Sequence, residues 1–198
     1  MVWRVLSDVI FSRYIKPDST VVDVGAGYCE FINAVCASKK YAVDLNPETV
    51  AHAASDVTVI TGDCRRMTDF KENSVDIVFS SNFLEHLPSK QIITEMLSES
   101  QRILRKGGKI ILMGPNIRFL ADIYWDFYDH TIPLSDRSIS EALLLTGFSI
   151  EKVVPKFLPY TTKTSMPINE TFLRLYLCIP MLRMLFGKQF LIIGQKAC

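Results

Sequence analysis

The chain predicts an α/β fold in which a doubly wound, mostly parallel sheet of seven strands carries helices on both faces. Three observations predict it. Short apolar runs alternate with segments of helical period along most of the length. One run, Val75 to Ser80, is almost continuously apolar, as a central parallel strand buried on both faces must be. The segment Val21 to Phe31 joins a strand to a helix through glycines at alternate positions. With 198 residues, 48% of them hydrophobic, the chain can bury one substantial core. With no Pro-, Gly- or Ser-rich linker to divide it, a single domain over residues 1–198 is expected.

The elements follow in order. Val21, Val22 and Val24 form the first strand, and Gly25 and Gly27 permit backbone angles and close approach that a side chain would block. A helix over Tyr28 to Ser38 would present its first amides to a ligand. A dinucleotide loop wants glycine or alanine at the sixth position of its pattern, yet that position is Glu30, and Asp23 precedes the first glycine. Phosphate is disfavoured there and a cationic ligand suits the turn. Tyr41 to Leu45 is the second strand, with Asp44 at its tip, and Asn46-Pro47 starts a helix with a capping side chain and a first-turn proline. Val57 to Ile60 is the third strand, leading into Gly62-Asp63-Cys64. The fourth strand, Val75 to Ser80, leads into Ser81 to Leu87. Ser89 to Leu104 has apolar residues at helical spacing and is closed by Arg105, Lys106 and Gly107. Lys109 to Met113, Phe148 to Val154 and Phe190 to Lys196 complete the strands.

Asp23, Gly25 and Gly27, followed by Asp44, by Asp63 with Cys64, and by the run from Ser81, make the chain resemble the class I S-adenosylmethionine-dependent methyltransferases of type 11. The resemblance implies a Rossmann-like sheet whose last strand lies antiparallel beside the fifth. It implies S-adenosyl-L-methionine as cofactor, bound by Asp23, Gly25, Gly27, Tyr28, Asp44, Leu45, Asp63, Cys64, Ser81 and Asn82. Asp44 would accept from the ribose hydroxyls, and Asp63 from the adenine amino group while the Cys64 amide reaches the ring. Cys29 stands where the family has a third alternating glycine, a departure expected to crowd the methionine end slightly. A weaker resemblance, through the Asp-His-Thr-Ile-Pro-Leu-Ser segment, is to bacterial methyltransferases associated with surface glycans.

Composition narrows the function classes. A net charge of +1 gives no footprint for nucleic acid. Cys29, Cys36, Cys64, Cys178 and Cys198 are scattered without a Cys-x-x-Cys pair, which argues against a metal site and against a disulfide framework. The N-terminus lacks the pattern of a secretory signal, so a cytoplasmic location is expected, with peripheral contact at the inner membrane surface as an extension.

Two segments hold the acceptor information. Gly114 to Leu134 gathers Tyr124, Trp125, Phe127, Tyr128, Asp129 and His130 after the fifth strand. Its His130 is the first candidate base, His86 the second, and Asp129 a group able to orient the His130 ring. Pro155 to Gln189 is a long insertion expected to act as lid or substrate surface. Within it, Thr171 to Phe186 is apolar but short, is interrupted by Pro180 and carries Arg174 and Arg183. Core helix pair, homodimer contact and membrane-surface element are its alternatives. The expected function is methyl transfer, on O or N, to a small-molecule or glycan- or lipid-linked acceptor. A nicotinamide-dependent oxidoreductase and a catalytically silent S-adenosylmethionine-binding subunit are the alternatives.

Overall fold

The computed structural model describes residues 1–160 and 169–197. In chain order the elements are α1 (Val2–Val9), β1 (Thr20–Val24), α2 (Glu30–Ala34), β2 (Lys39–Asp44), β3 (Val57–Thr61), β4 (Val75–Ser81) and α3 (Lys90–Ile103). There follow β5 (Leu104–Pro115), α4 (Asp136–Leu145), β6 (Phe148–Val154), α5 (Glu170–Cys178), α6 (Pro180–Phe186) and β7 (Gln189–Lys196). The strands form one sheet in the order β3-β2-β1-β4-β5-β7-β6. The first five strands are parallel, and β7 runs antiparallel between β5 and β6. All seven expected strands are present, with the last beside the fifth as the resemblance implied.

Alternation along the central strands sends side chains to two cores. Val22, Val24, Val78, Ile110 and Leu112 pack with Ile93, Met96 and Leu97 of α3 and with Ile139 and Leu143 of α4. Val21, Ile77, Phe79, Ile111 and Met113 face the other way, onto α1, α2 and α5. There Phe79 stacks on Phe31 at 3.5 Å between ring centroids, and Phe11 and Trp3 meet both rings edge-on.

The expected helix α3 and the helix α4, which sequence reasoning did not place, both start on side-chain caps. Ser89 accepts from the Ile92 amide at the start of α3, and Ser135 and Ser138 form a reciprocal capping box on α4. Asn46 accepts from the Glu48 amide ahead of a 3-10 helix at Pro47–His52.

The helix expected over Tyr28 to Ser38 is shorter: α2 has one turn and a half, and Val35 is already extended. The amides of Ser38 and Lys39 both donate to Ser19 O, which draws the chain into β2 and ends the helix early. Thr171 to Phe186 folds as two helices, α5 and α6, broken at Pro180, whose missing amide suits a new first turn. The part of the 155–189 insertion at 161–168 lies outside the described residues.

Candidate cofactor and acceptor site

The β1–α2 turn is built from left-handed backbone. Gly25, Gly27 and Cys29 have φ of 71°, 48° and 55°. A Cβ at Gly25 would lie 2.3 Å from the Phe83 ring, whereas one at Gly27 would project into open space. Gly25 is required by its own neighbours, and Gly27 leaves room for something outside. The third glycine position of the motif is left-handed too, and Cys29 occupies it at a cost of about 1 kcal/mol. Its side chain is fully buried, with Sγ facing Thr49 O at 3.7 Å. Cys29 therefore sits under the turn, lining neither cleft, and does not crowd the methionine end. The structural cause is that its Cβ points into the core formed by α2 and Phe31.

Two acids meet across this turn. Asp44, at the tip of β2, accepts from the Gly27 amide (Oδ2, 2.8 Å) and the Asn46 amide (Oδ1, 2.9 Å). Asp23 is buried in β1, and burial pushes its carboxyl up to about 8, with the Asp44 charge adding to the rise. A buried acid next to a second acid is a place for a cation.

A cleft lies on each side of the turn. On the β2–β3 side, about 220 Å3 is enclosed by Asp44, Leu45, Asp63, Cys64, Phe83 and Ile92, among others. Arg65 holds Asp63 through Nε and Nη2 at 2.9 and 2.6 Å and keeps its carboxyl below the usual carboxylate range. On the β4 side, a second cleft of about 220 Å3 is lined by Asp23, Gly25, Gly27, Tyr28, Ser81 and Asn82, with Trp3 and Glu30 at its edge. Every residue expected to bind the cofactor lines one cleft or the other, and Gly25 lines both. The residues fit S-adenosylmethionine: a flat, largely apolar slot with Asp63 on one side, the Asp44 carboxylate at the middle, and the acid-rich cleft on the other.

Beyond the second cleft a cavity of about 250 Å3 opens, with mostly apolar walls. Trp3 and Asn82 line both spaces, and Met113, Leu158, Phe172 and Tyr176 close the cavity from β5 and the insertion. Trp3 is a site residue that sequence reasoning missed, because nothing in α1 indicates that it folds over β4. Its indole donates to Glu30 Oε2 at 3.2 Å, tying α1 to the start of α2. Phe83 was missed too, although a large side chain two residues after β4 was there to be read.

The proposed acid–base residues come together on the same rim, past Asn82. His130 is buried and its Nδ1 donates to Tyr124 O at 2.8 Å; its ring stacks on Phe127 and meets His86 at 5.2 Å. Burial holds its pKa below the ordinary value. Asp129, expected to orient His130, instead faces His86: its carbonyl O lies 3.1 Å and its Oδ2 3.3 Å from His86 Nδ1. Adjacent residues in this loop point apart, so the acid reaches the other ring. Glu85, which the sequence reading passed over, is buried between them. None of these four lines the apolar cavity.

Residues 22–112 match the family model described as a methyltransferase domain. That segment, from β1 to β5 and holding both clefts' strand-end residues, belongs to the type 11 methyltransferases, a family dependent on S-adenosylmethionine. The nicotinamide-dependent alternative is thereby set aside. Solved structures agree on the fold. An S-adenosylmethionine-dependent methyltransferase from Archaeoglobus fulgidus superposes with a TM-score of 0.72 at 21% identity, covering 98% of this chain and 93% of that one. One from Methanosarcina mazei gives 0.68 at 16% identity, covering 95% and 97%. A Haloferax volcanii protein solved in complex with the Trm112 methyltransferase activator gives 0.73 at 18% identity, covering 99% and 90%. No curated protein matches the chain significantly.

Proposed function

We propose that the chain transfers a methyl group from S-adenosylmethionine to a small-molecule or glycan- or lipid-linked acceptor that has an apolar portion, seated in the cavity between α1, β5 and α5. The observation that carries this reading is that Trp3 and Asn82 line both that cavity and the acid-lined cleft. When bound, S-adenosylmethionine supplies an electrophilic methyl group on a cationic sulfur. Asp23 and Glu30 give that end of the site its negative character, and Asp44 anchors the middle. Displacement at a methyl group needs the nucleophile in line, so walls that fix both partners supply much of the rate. His86, Asp129 and His130, the acid–base candidates, stand past Asn82 and outside the walls of that cavity, so positioning rather than a base at its wall carries this reading.

Two substitutions test the assignment. Asp44→Ala should weaken cofactor binding by ~1 to 3 kcal/mol, the worth of hydrogen bonds to a charged group, measured by calorimetry. Phe172→Asp, at a half-exposed wall of the cavity, should leave cofactor affinity alone and raise the acceptor KM by at least ~10-fold, since an unpaired charge is costly against an apolar group. Unchanged cofactor affinity in the first variant removes Asp44 from the site. Cofactor binding with no transfer to any hydroxyl, amine or lipid-linked acceptor would favour the silent-subunit reading.

A second reading concerns the insertion. Phe172, Leu175, Met181, Met184, Leu185 and Phe186 are exposed on α5 and α6, and Phe172 also lines the cavity. Such a face suits a peripheral membrane surface, from which an acceptor with a lipid portion could enter, or a second copy of the chain. Of the two arginines expected at headgroup level, Arg174 is engaged with Asp8 and Glu170, at 3.0 and 2.9 Å. Among the described residues no helix is long and apolar enough to cross a membrane.

A further inference from the structure

Glu85 poses a problem that the methyl-transfer reading leaves open. Its carboxylate is only 2% exposed, and its one ion-pair contact among the described residues is His86 Nε2, at 3.9 Å from Oε1. The burial is enforced by backbone: Thr131 donates to Glu85 O through its amide (2.9 Å) and hydroxyl (3.1 Å), clamping the 127–132 loop over the turn after β4. A buried carboxylate without a cationic partner is expensive, and proteins that keep one usually supply a counter-charge.

The two imidazoles beside it are prepared in the same way. A carbonyl oxygen can only accept, so the contact to Tyr124 O puts the proton of His130 on Nδ1 and leaves Nε2 with its lone pair. The contact to Asp129 O, reinforced by the Asp129 carboxylate, does the same for His86. An imidazole whose far nitrogen is held by a backbone carbonyl or carboxylate is the usual outer-shell arrangement of a metal-ligating histidine. One ligand atom from each of Glu85, His86 and His130 lies within 4.8 Å of the others. Ligands of one tetrahedral zinc ion stand about 3.3 Å apart at bond lengths of about 2.0–2.1 Å, so side-chain shifts of about 1 Å close the cluster.

We propose that Glu85, His86 and His130 form a binding site for a divalent transition-metal ion, zinc being the best match to two imidazoles and one carboxylate. His86 is partly exposed, so the site opens to solvent on its side and a further position can take an oxygen ligand. The cysteine pattern argued against metal in this chain; the candidate ligands are of the other chemistry, one acid and two histidines from segments over forty residues apart. This site does not rest on the methyl-transfer reading, because it can be occupied with no cofactor present.

The test is calorimetric titration of zinc into the full chain after chelator dialysis, with the absorption spectrum of the cobalt-substituted protein as a second readout. The expected result is one equivalent bound at micromolar Kd or tighter. Glu85→Gln and His86→Ala should each weaken it at least ~10- to 100-fold, the loss that removing even an outer-shell partner causes. His52→Ala, remote from the cluster, should not. His86 is half-exposed, so its variant informs even where a His130 variant fails to fold. Failure of the wild type to bind one equivalent at 100-fold molar excess of zinc overturns the inference. So does full retention in Glu85→Gln and His86→Ala, which would place the metal on the exposed thiols of Cys36 or Cys178. Titrating S-adenosylmethionine into the same samples separates the two readings, since intact cofactor binding with no zinc binding sinks this one alone.

Discussion

Asp23 is an acid whose protonation is coupled to the charge of what binds beside it. Its folded-state carboxyl is raised from 3.8 to about 8, so the folded chain keeps a proton that the unfolded chain gives up near pH 4. That contribution to stability is fully present below the unfolded value and is lost as pH rises towards 8. A cationic ligand favours the ionised form. Cofactor binding at pH 7 should therefore release a proton, and affinity should climb between pH 6 and 8 and level off above. Calorimetry in buffers of different ionisation enthalpy measures the release, and Asp23→Asn should abolish it while raising the stability of the ligand-free protein at pH 8. A binding enthalpy independent of buffer would refute the coupling. Two residues on, Gly25→Ala should destabilise by ~2 to 4 kcal/mol, through left-handed strain and overlap with Phe83. Denaturant unfolding reads that number, whereas Gly27→Ala should cost less stability and more cofactor affinity.

At the scale of elements, α5 and α6 divide their labour. α5 turns Leu173, Tyr176 and Leu177 inward against α1, where the Tyr176 hydroxyl donates to Phe157 O at 3.0 Å. Leu175 stays 53% exposed on the same helix, and Leu185 of α6 is 68% exposed. The insertion is thus partly core and partly free surface, a mixture that neither a core helix pair nor a membrane element alone would give. If the free face docks on a bilayer, flotation with anionic vesicles should carry the protein at low salt, and Met184→Glu with Leu185→Glu should abolish it without lowering the melting temperature. If the face pairs two copies, light scattering should show a dimer that the same double variant dissociates. A monomer that ignores vesicles would leave α6 without a docking role.

For the whole molecule, the two clefts proposed to hold the cofactor are assembled from the ends of β1, β2, β3 and β4, on strands flanked by both cores, so on this proposal ligand and fold are linked. S-adenosylmethionine at 100 times its Kd should add about 2.7 kcal/mol, raising the melting midpoint by about 5–10 °C. The sequence by itself determined the sheet and picked out residues that the fold gathers around two adjoining clefts. Strand periods, the cap at Asn46, the helical period after Ser89 and the Asp23-Gly25-Gly27 spacing are local signals, and each residue expected to touch the cofactor lies at a strand end or in the loop that follows it. The acceptor half depended on distant segments meeting. Trp3 reaches the acid-lined cleft only because α1 packs over Phe79, and Asp129 faces His86 rather than its neighbour His130 because the loop turns between them. Glu85 becomes a buried acid only when Thr131, forty-six residues later, closes over its carbonyl. Local period and spacing encode which backbone forms, whereas burial, and with it charge and protonation, is a property of what the rest of the chain places on top.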